Sequence, residues 1–316
     1  MENFDAKKFA LMLKRKVGAG MLIIALLCVT VTFSTLFTDD IHLWWSIIAL
    51  VLFFVLRRTI LVWYAKKLYA LINDDLAPDR LLDVIREGKF YSRNAILELT
   101  AYLAAGRWQQ VADICAQKLN DPTLAAEKCN YMAYLADMYF SLGDDARLRE
   151  IVDAYDAYAA VIKPNTAIKR WKDSMVYYRN YLDGAYAECF AEWERRRQKE
   201  KNHKVSRYIQ IVRSYKHGVL FYRAGHMEEA QVLFERVVAD APQLALATLS
   251  EEYLRAMREG GEPCFGERVT PSGQDALPPI PKSHRVLHIV ARVAMTVALI
   301  MLAVVAVLLL VVEILL

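Results

Sequence analysis

The stretch Ser214–Pro242, SYKHGVLFYRAGHMEEAQVLFERVVADAP, decides the fold. It reads as two short amphipathic helices joined by a tight turn. The first carries Gly218, Phe221 and Tyr222, the turn is Ala224-Gly225-His226, and the second carries Ala230, Phe234 and Val237. Glycine at the turn reaches positive φ without a Cβ clash. Ala230 is small enough to let the second helix lie close to the first. Pro242 has no N–H and ends the second helix.

The glycine recurs. Gly106, Gly143, Gly184 and Gly225 are separated by 37, 41 and 41 residues. An aromatic stands four residues before three of them, as Tyr102, Tyr139 and Phe221, and slips to Tyr181 before Gly184. In the last copy Gly218, Phe221, Gly225, Ala230, Phe234 and Pro242 fall at fixed spacing. On these residues the segment resembles the tetratricopeptide repeat, a helix–turn–helix module of about 34 residues. It departs from that family at Ser214, His217 and Val237, where the family has Trp, Leu and Ala. The longer period predicts longer helices or irregular turns. One hairpin cannot bury its apolar face alone, so the resemblance implies a stacked solenoid.

The predicted class is therefore all-α, a repeat domain over 74–260 accompanied by three transmembrane helices. Around the domain the sequence divides into a basic leader (1–16), apolar stretches at 17–37 and 41–64, a Pro/Gly-rich linker (261–282) and an apolar C-terminal stretch (290–316). The first stretch is uncharged and long enough to cross a hydrocarbon core of about 30 Å. The second is flanked by the Trp44-Trp45 and Trp63-Tyr64 pairs, as interfacial belts are. Apolar residues make up 56% of the chain, above the usual range of about 45–50%, and the excess sits in these terminal blocks.

Charge supports the same division. Residues 74–281 hold 28 Lys and Arg against 31 Asp and Glu, a net of −3, while the remainder is at +7. The cationic flanks predict a cytosolic N-terminus and a cytosolic repeat domain on the plasma membrane of a bacterium. A domain without its own positive charge argues against nucleic acid as partner. Five cysteines without a CxxC pair argue for reduced thiols and not for a disulfide frame.

No catalytic signature is present: no HExxH, no GxSxG, no phosphate loop and no dinucleotide fingerprint. The sequence predicts no enzyme, cofactor, metal or small-molecule substrate. His284 and His288 would share a face on a helix, but no carboxylate or thiol lies nearby in sequence to complete a metal site. The expected partners are another protein and the lipid bilayer.

The resemblance implies a concave groove lined by the first helix of each hairpin. The positions it selects are Arg93, Ile96, Thr100 and Leu103; Asn130, Ala133, Asp137 and Phe140; Trp171, Ser174, Tyr178 and Tyr181; and Val212, Tyr215, Val219 and Tyr222. The fifth and ninth positions are neither basic nor Asn, so the family's capture of a terminal carboxylate is not implied. The candidate groove residues are Arg93, Asn130, Phe140, Trp171, Tyr178, Tyr181, Tyr215 and Tyr222. Aromatic side chains serve as interface anchors, and they serve equally as core between long helices; the sequence leaves both open. The expected function is a membrane-anchored scaffold or assembly factor, or else an accessory subunit of a larger membrane transport complex.

Overall fold

The computed structural model describes residues 5–35, 42–88, 95–121, 127–162, 166–199, 205–266 and 269. Among them are twelve helices and no strand: α1 (Ala6–Thr35), α2 (His42–Asn73), α3 (Pro78–Gly88), α4 (Ala95–Ala104), α5 (Trp108–Asn120), α6 (Lys128–Ser141), α7 (Asp145–Val161), α8 (Thr166–Leu182), α9 (Tyr186–Lys199), α10 (Arg207–Arg223), α11 (Met227–Asp240) and α12 (Ala245–Glu259).

Four hairpins, α4–α5, α6–α7, α8–α9 and α10–α11, share one turn. Each first helix ends at a glycine with positive φ: +72° at Gly106, +64° at Gly143, +72° at Gly184 and +84° at Gly225. The hydrogen bonding is the same each time. The glycine N–H donates to the carbonyl three residues back, on Leu103, Phe140, Tyr181 and Tyr222. The next N–H donates to the carbonyl five residues back, on Tyr102, Tyr139, Asn180 and Phe221. This two-bond cap satisfies carbonyls that a helix end leaves open, and it needs a left-handed residue where glycine stands. The protein is thus a stack of helical hairpins with a recurrent turn. The longer period is met by longer helices: α7, α8 and α10 each have 17 residues.

Close approach within the last hairpin is set by Gly218 on α10. A Cβ placed there would lie 2.7 Å from Phe234 Cε1 on α11. Ala230 and Phe234 are fully buried in the same seam. The first helices α4, α6 and α8 lie side by side as an inner layer. The stack then curls. α10 packs on α2, and α12 packs on α4. Tyr215 on α10 donates to the carbonyl of Ser141, at the end of α6, at 2.7 Å.

Three membrane spans are not what the fold contains: among the described residues no helix is long and apolar enough to cross a membrane. The reason lies in where the first two helices begin and end. α1 starts inside the basic leader, and α2 continues through Arg57, Arg58, Lys66 and Lys67 to Asn73. Their charged parts belong to the packed structure. Ala10 and Leu13 of α1 are buried with Leu68, Leu71 and Ile72 of α2 and Leu81, Leu82 and Ile85 of α3. From Ala6 on, the leader is therefore helix, anchored in the core through Ala10 and Leu13. On this finding the class is corrected from a repeat solenoid with three transmembrane helices to an all-helical repeat fold, and the integral-membrane placement falls with it. The third expected span, at 290–316, and the linker residues 267, 268 and 270–282 lie outside the described residues.

Candidate functional site

The inner layer is where the expected groove residues fall. Phe140, Tyr178, Tyr181 and Tyr215 are all buried. Phe140 is the hub, with its ring centre 5.2 Å from Tyr178 and 4.9 Å from Tyr181. Asn130 and Trp171 are half-buried and hold each other, the Trp171 indole donating to Asn130 Oδ1 at 2.9 Å. Tyr222 is half-buried against Tyr253, with ring centres 5.0 Å apart. Arg93 lies outside the described residues. The seven described positions thus do not form one open groove, because four of the rings, Phe140, Tyr178, Tyr181 and Tyr215, are buried by their neighbours. The curl of the stack brings α10 across the face that an open solenoid would leave free.

A polar cluster sits within this aromatic packing. Lys216 Nζ of α10 lies 2.7 Å from Asp137 Oδ1 of α6 and 2.5 Å from the Tyr178 hydroxyl of α8. Tyr178 in turn donates to Asp137. The ammonium also stands 5.0 Å from the Tyr178 ring centre, in cation–π range. Asp137 and Lys216 are 18% and 21% exposed, so each needs the other. Beside them His217 is buried, its ring 4.2 Å from Trp193 of α9. Burial, reinforced by Arg213 and Lys216, pushes the imidazole down to about 3. The opening next to this cluster has about 70 Å³, room for roughly two waters. The cluster ties α6, α8 and α10 to one another.

A larger cleft, of about 410 Å³, opens at the C-terminal ends of α6 and α10. Its walls are the α6–α7 turn, the end of α10, Tyr253 of α12, and residues 262–266 and 269. The turn supplies two adjacent acids. Asp144 caps α7 by accepting from the Arg147 N–H at 3.1 Å, as a carboxylate at a helix start should. Asp145 Oδ2 accepts from Arg223 Nη2 at 2.9 Å. Arg223 also donates from Nε to the Tyr181 hydroxyl at 3.1 Å. Burial raises the Asp145 carboxyl above the ordinary range, and Arg223 only partly opposes it.

Tyr253 is 1% exposed, and its ring stacks on Phe234 with centres 4.6 Å apart. Its hydroxyl is buried without a hydrogen-bond partner among the described residues. Asp145 Oδ1 in the same wall is likewise buried without a hydrogen-bond partner among the described residues, and such groups are uncommon in native folds. Phe265 closes the cleft from the other side, 5.2 Å from the Tyr253 ring centre. It lies over Gly143, where a Cβ would meet its ring at 3.0 Å. Glu262 and Cys264 are exposed at the rim. The cleft combines three carboxylates, one guanidinium and aromatic walls. That set is suited to binding a cation or a donor group.

Sequence reasoning missed most of this cleft. Only Tyr222 of the expected groove lines it. Tyr139 and Gly143 were visible in the repeated pattern, but nothing in that pattern pairs a turn residue such as Asp145 with the end of a helix two hairpins away. Comparison with protein-family models, curated proteins and solved structures gave no match for this chain.

Proposed function

We propose that this protein is a binding scaffold or assembly factor, built from hairpin repeats of the tetratricopeptide type, that holds another protein. The observation carrying this reading is the shared turn. Four glycines at near-equal spacing end four first helices with the same pair of hydrogen bonds. The last copy adds the consensus small and aromatic residues: Gly218, Ala230 and Phe234 meet in one buried seam. Stacks of this kind present a broad, rigid surface with preset side chains, which lowers the ordering cost of binding.

The aromatic inner layer does not supply that surface, since its rings are core. Partner contact therefore falls on the outer faces and on the cleft at the ends of α6 and α10. The test is recovery of a stoichiometric complex from native extracts with tagged full-length chain, followed by reconstitution of the purified pair. A defined complex that reforms from pure components supports the scaffold reading. A chain that runs alone under all mild conditions, with no component co-purifying, contradicts it.

A further inference from the structure

Helices α1 and α2 carry five and four Lys or Arg, respectively, and no acid. Residues 74–281, by contrast, are at −3. On α1, Ala10 and Leu13 turn into the core, while Lys7, Lys8, Leu11, Met12 and Arg15 are exposed on the opposite side. On α2, Val51, Val55, Arg58, Val62 and Lys66 are all exposed. They follow one another at steps of four, three, four and four residues, which keeps them on one side of the helix. The three valines are 56%, 54% and 58% exposed. Single exposed apolar residues are ordinary, but a row of β-branched side chains on one helix face serves neither the core nor helix propensity. The two helices run antiparallel. A Cβ on Gly20 would lie 2.7 Å from Ile60 Cδ1, and Leu13 and Leu68 share the buried cluster. Counting from the Gly20 contact sets Lys14–Lys16 level with Tyr64–Lys66, so cations of both helices form one band. Val62, Val55 and Val51 lie successively beyond it. Of the acids on either side, Asp5 pairs with Lys8, Asp79 with Arg107 and Asp83 with Arg86.

We propose that the outer face of α1 and α2 docks on an anionic lipid surface, lying against the headgroups without crossing the bilayer. The scaffold reading does not use this face. Lys and Arg meet the lipid phosphates and carboxylates, and their long stems let the charge stay at that level while Val55 and Val62 reach the acyl boundary. Trp63, exposed beside Val62, is of the type that settles at such a boundary. A second copy on this face would bring cations against cations, and a nucleic acid would leave the valines in water. Only a surface both anionic and apolar satisfies the two rows together.

The full chain is mixed with vesicles of phosphatidylcholine and phosphatidylserine, or of phosphatidylcholine alone, and bound protein is recovered by flotation. It should bind the anionic vesicles far better than the neutral ones, and raised salt should weaken that binding. Affinity should fall roughly hundredfold when Arg15→Gln, Arg58→Gln and Lys66→Gln are combined, at a few-fold for each surface cation. Removing three charges elsewhere, at Arg236, Arg255 and Arg258 of α11 and α12, should leave it nearly unchanged. Val55→Gln with Val62→Gln keeps every charge and should weaken binding roughly tenfold. All these side chains are exposed, so circular-dichroism melts should match the parent chain. Equal binding to neutral vesicles, no binding to either kind, or undiminished affinity in the Arg15, Arg58 and Lys66 variant would each overturn the proposal. So would a large loss of stability in the valine variant, which would place those side chains in the core. Displacement by polyglutamate with no effect of the valine changes would assign the face to an acidic protein segment instead. A lipid-free dimer that the valine changes dissociate would assign it to a second copy, and either result overturns lipid docking.

Discussion

His217 is the residue whose protonation the fold most strongly forbids. Its ordinary value of 6.5 drops to about 3, first because the ring is buried and then because Arg213 and Lys216 are close. Between those two values the unfolded chain binds a proton that the native state refuses. Stability contributed by the neutral ring is therefore complete above 6.5 and drains as pH falls toward 3, at about 1.4 kcal/mol per pH unit. Going from pH 7 to pH 5 should cost roughly 2 kcal/mol through this group alone. Leucine is the residue the repeat consensus places here, and His217→Leu should abolish that loss. Urea denaturation of both proteins at the two pH values measures it, and an identical acid-side loss in the variant would show that the ring is not the source. Asp145, whose raised carboxyl works in the opposite sense, is common to both proteins and drops out of the comparison. The sequence marked His217 as a departure from the repeat pattern. It could not say that Trp193, from the preceding hairpin, would cover the ring.

At the level of helices and turns, glycine carries two separable costs. Gly184 has φ +72°, and a Cβ added there would have no neighbour within 4 Å, so Gly184→Ala meets only backbone strain, roughly 1–2 kcal/mol. Gly218 is helical, and there the obstacle is the Phe234 ring at 2.7 Å. Gly218→Ala should overpack the α10–α11 seam and cost roughly 1–3 kcal/mol. Thermal melts of the two single variants check both figures; a silent Gly218→Ala would mean the seam is looser than Gly218 and Phe234 make it. Hairpin structure was legible in the sequence for this reason: a left-handed turn and a close helix crossing both demand glycine, and their spacing is visible without coordinates. Ring placement was not. Tyr181 and Tyr222 occupy equivalent helical positions, each three residues before its turn glycine, yet one is buried beneath Arg223 and the other is half-buried beside Tyr253. That difference comes from which helix lies on top, and local periodicity contains no such information.

For the whole molecule, the long apolar stretches at the N-terminus invited a membrane reading because composition was weighed over windows. What the windows could not register is that α1 and α2 each run on through cationic segments whose apolar residues, Leu13 and Leu68 among them, are fully buried against α3. The same limit hid the curl of the stack. Repeats read from sequence suggest an open superhelix with a free inner face, whereas α10 reaches back to α6, two hairpins earlier, through Tyr215 on Ser141 and Lys216 on Asp137. This closure is the central feature of the fold, since it turns the expected groove into core. A double-mutant cycle on Asp137→Asn and Lys216→Met, read by urea denaturation, tests it most directly. In the closed stack each single change strands a poorly solvated partner, and the pair should show a coupling of about 1 kcal/mol or more. Additivity to within about 0.5 kcal/mol, as expected for residues far apart in an open solenoid, would contradict the account.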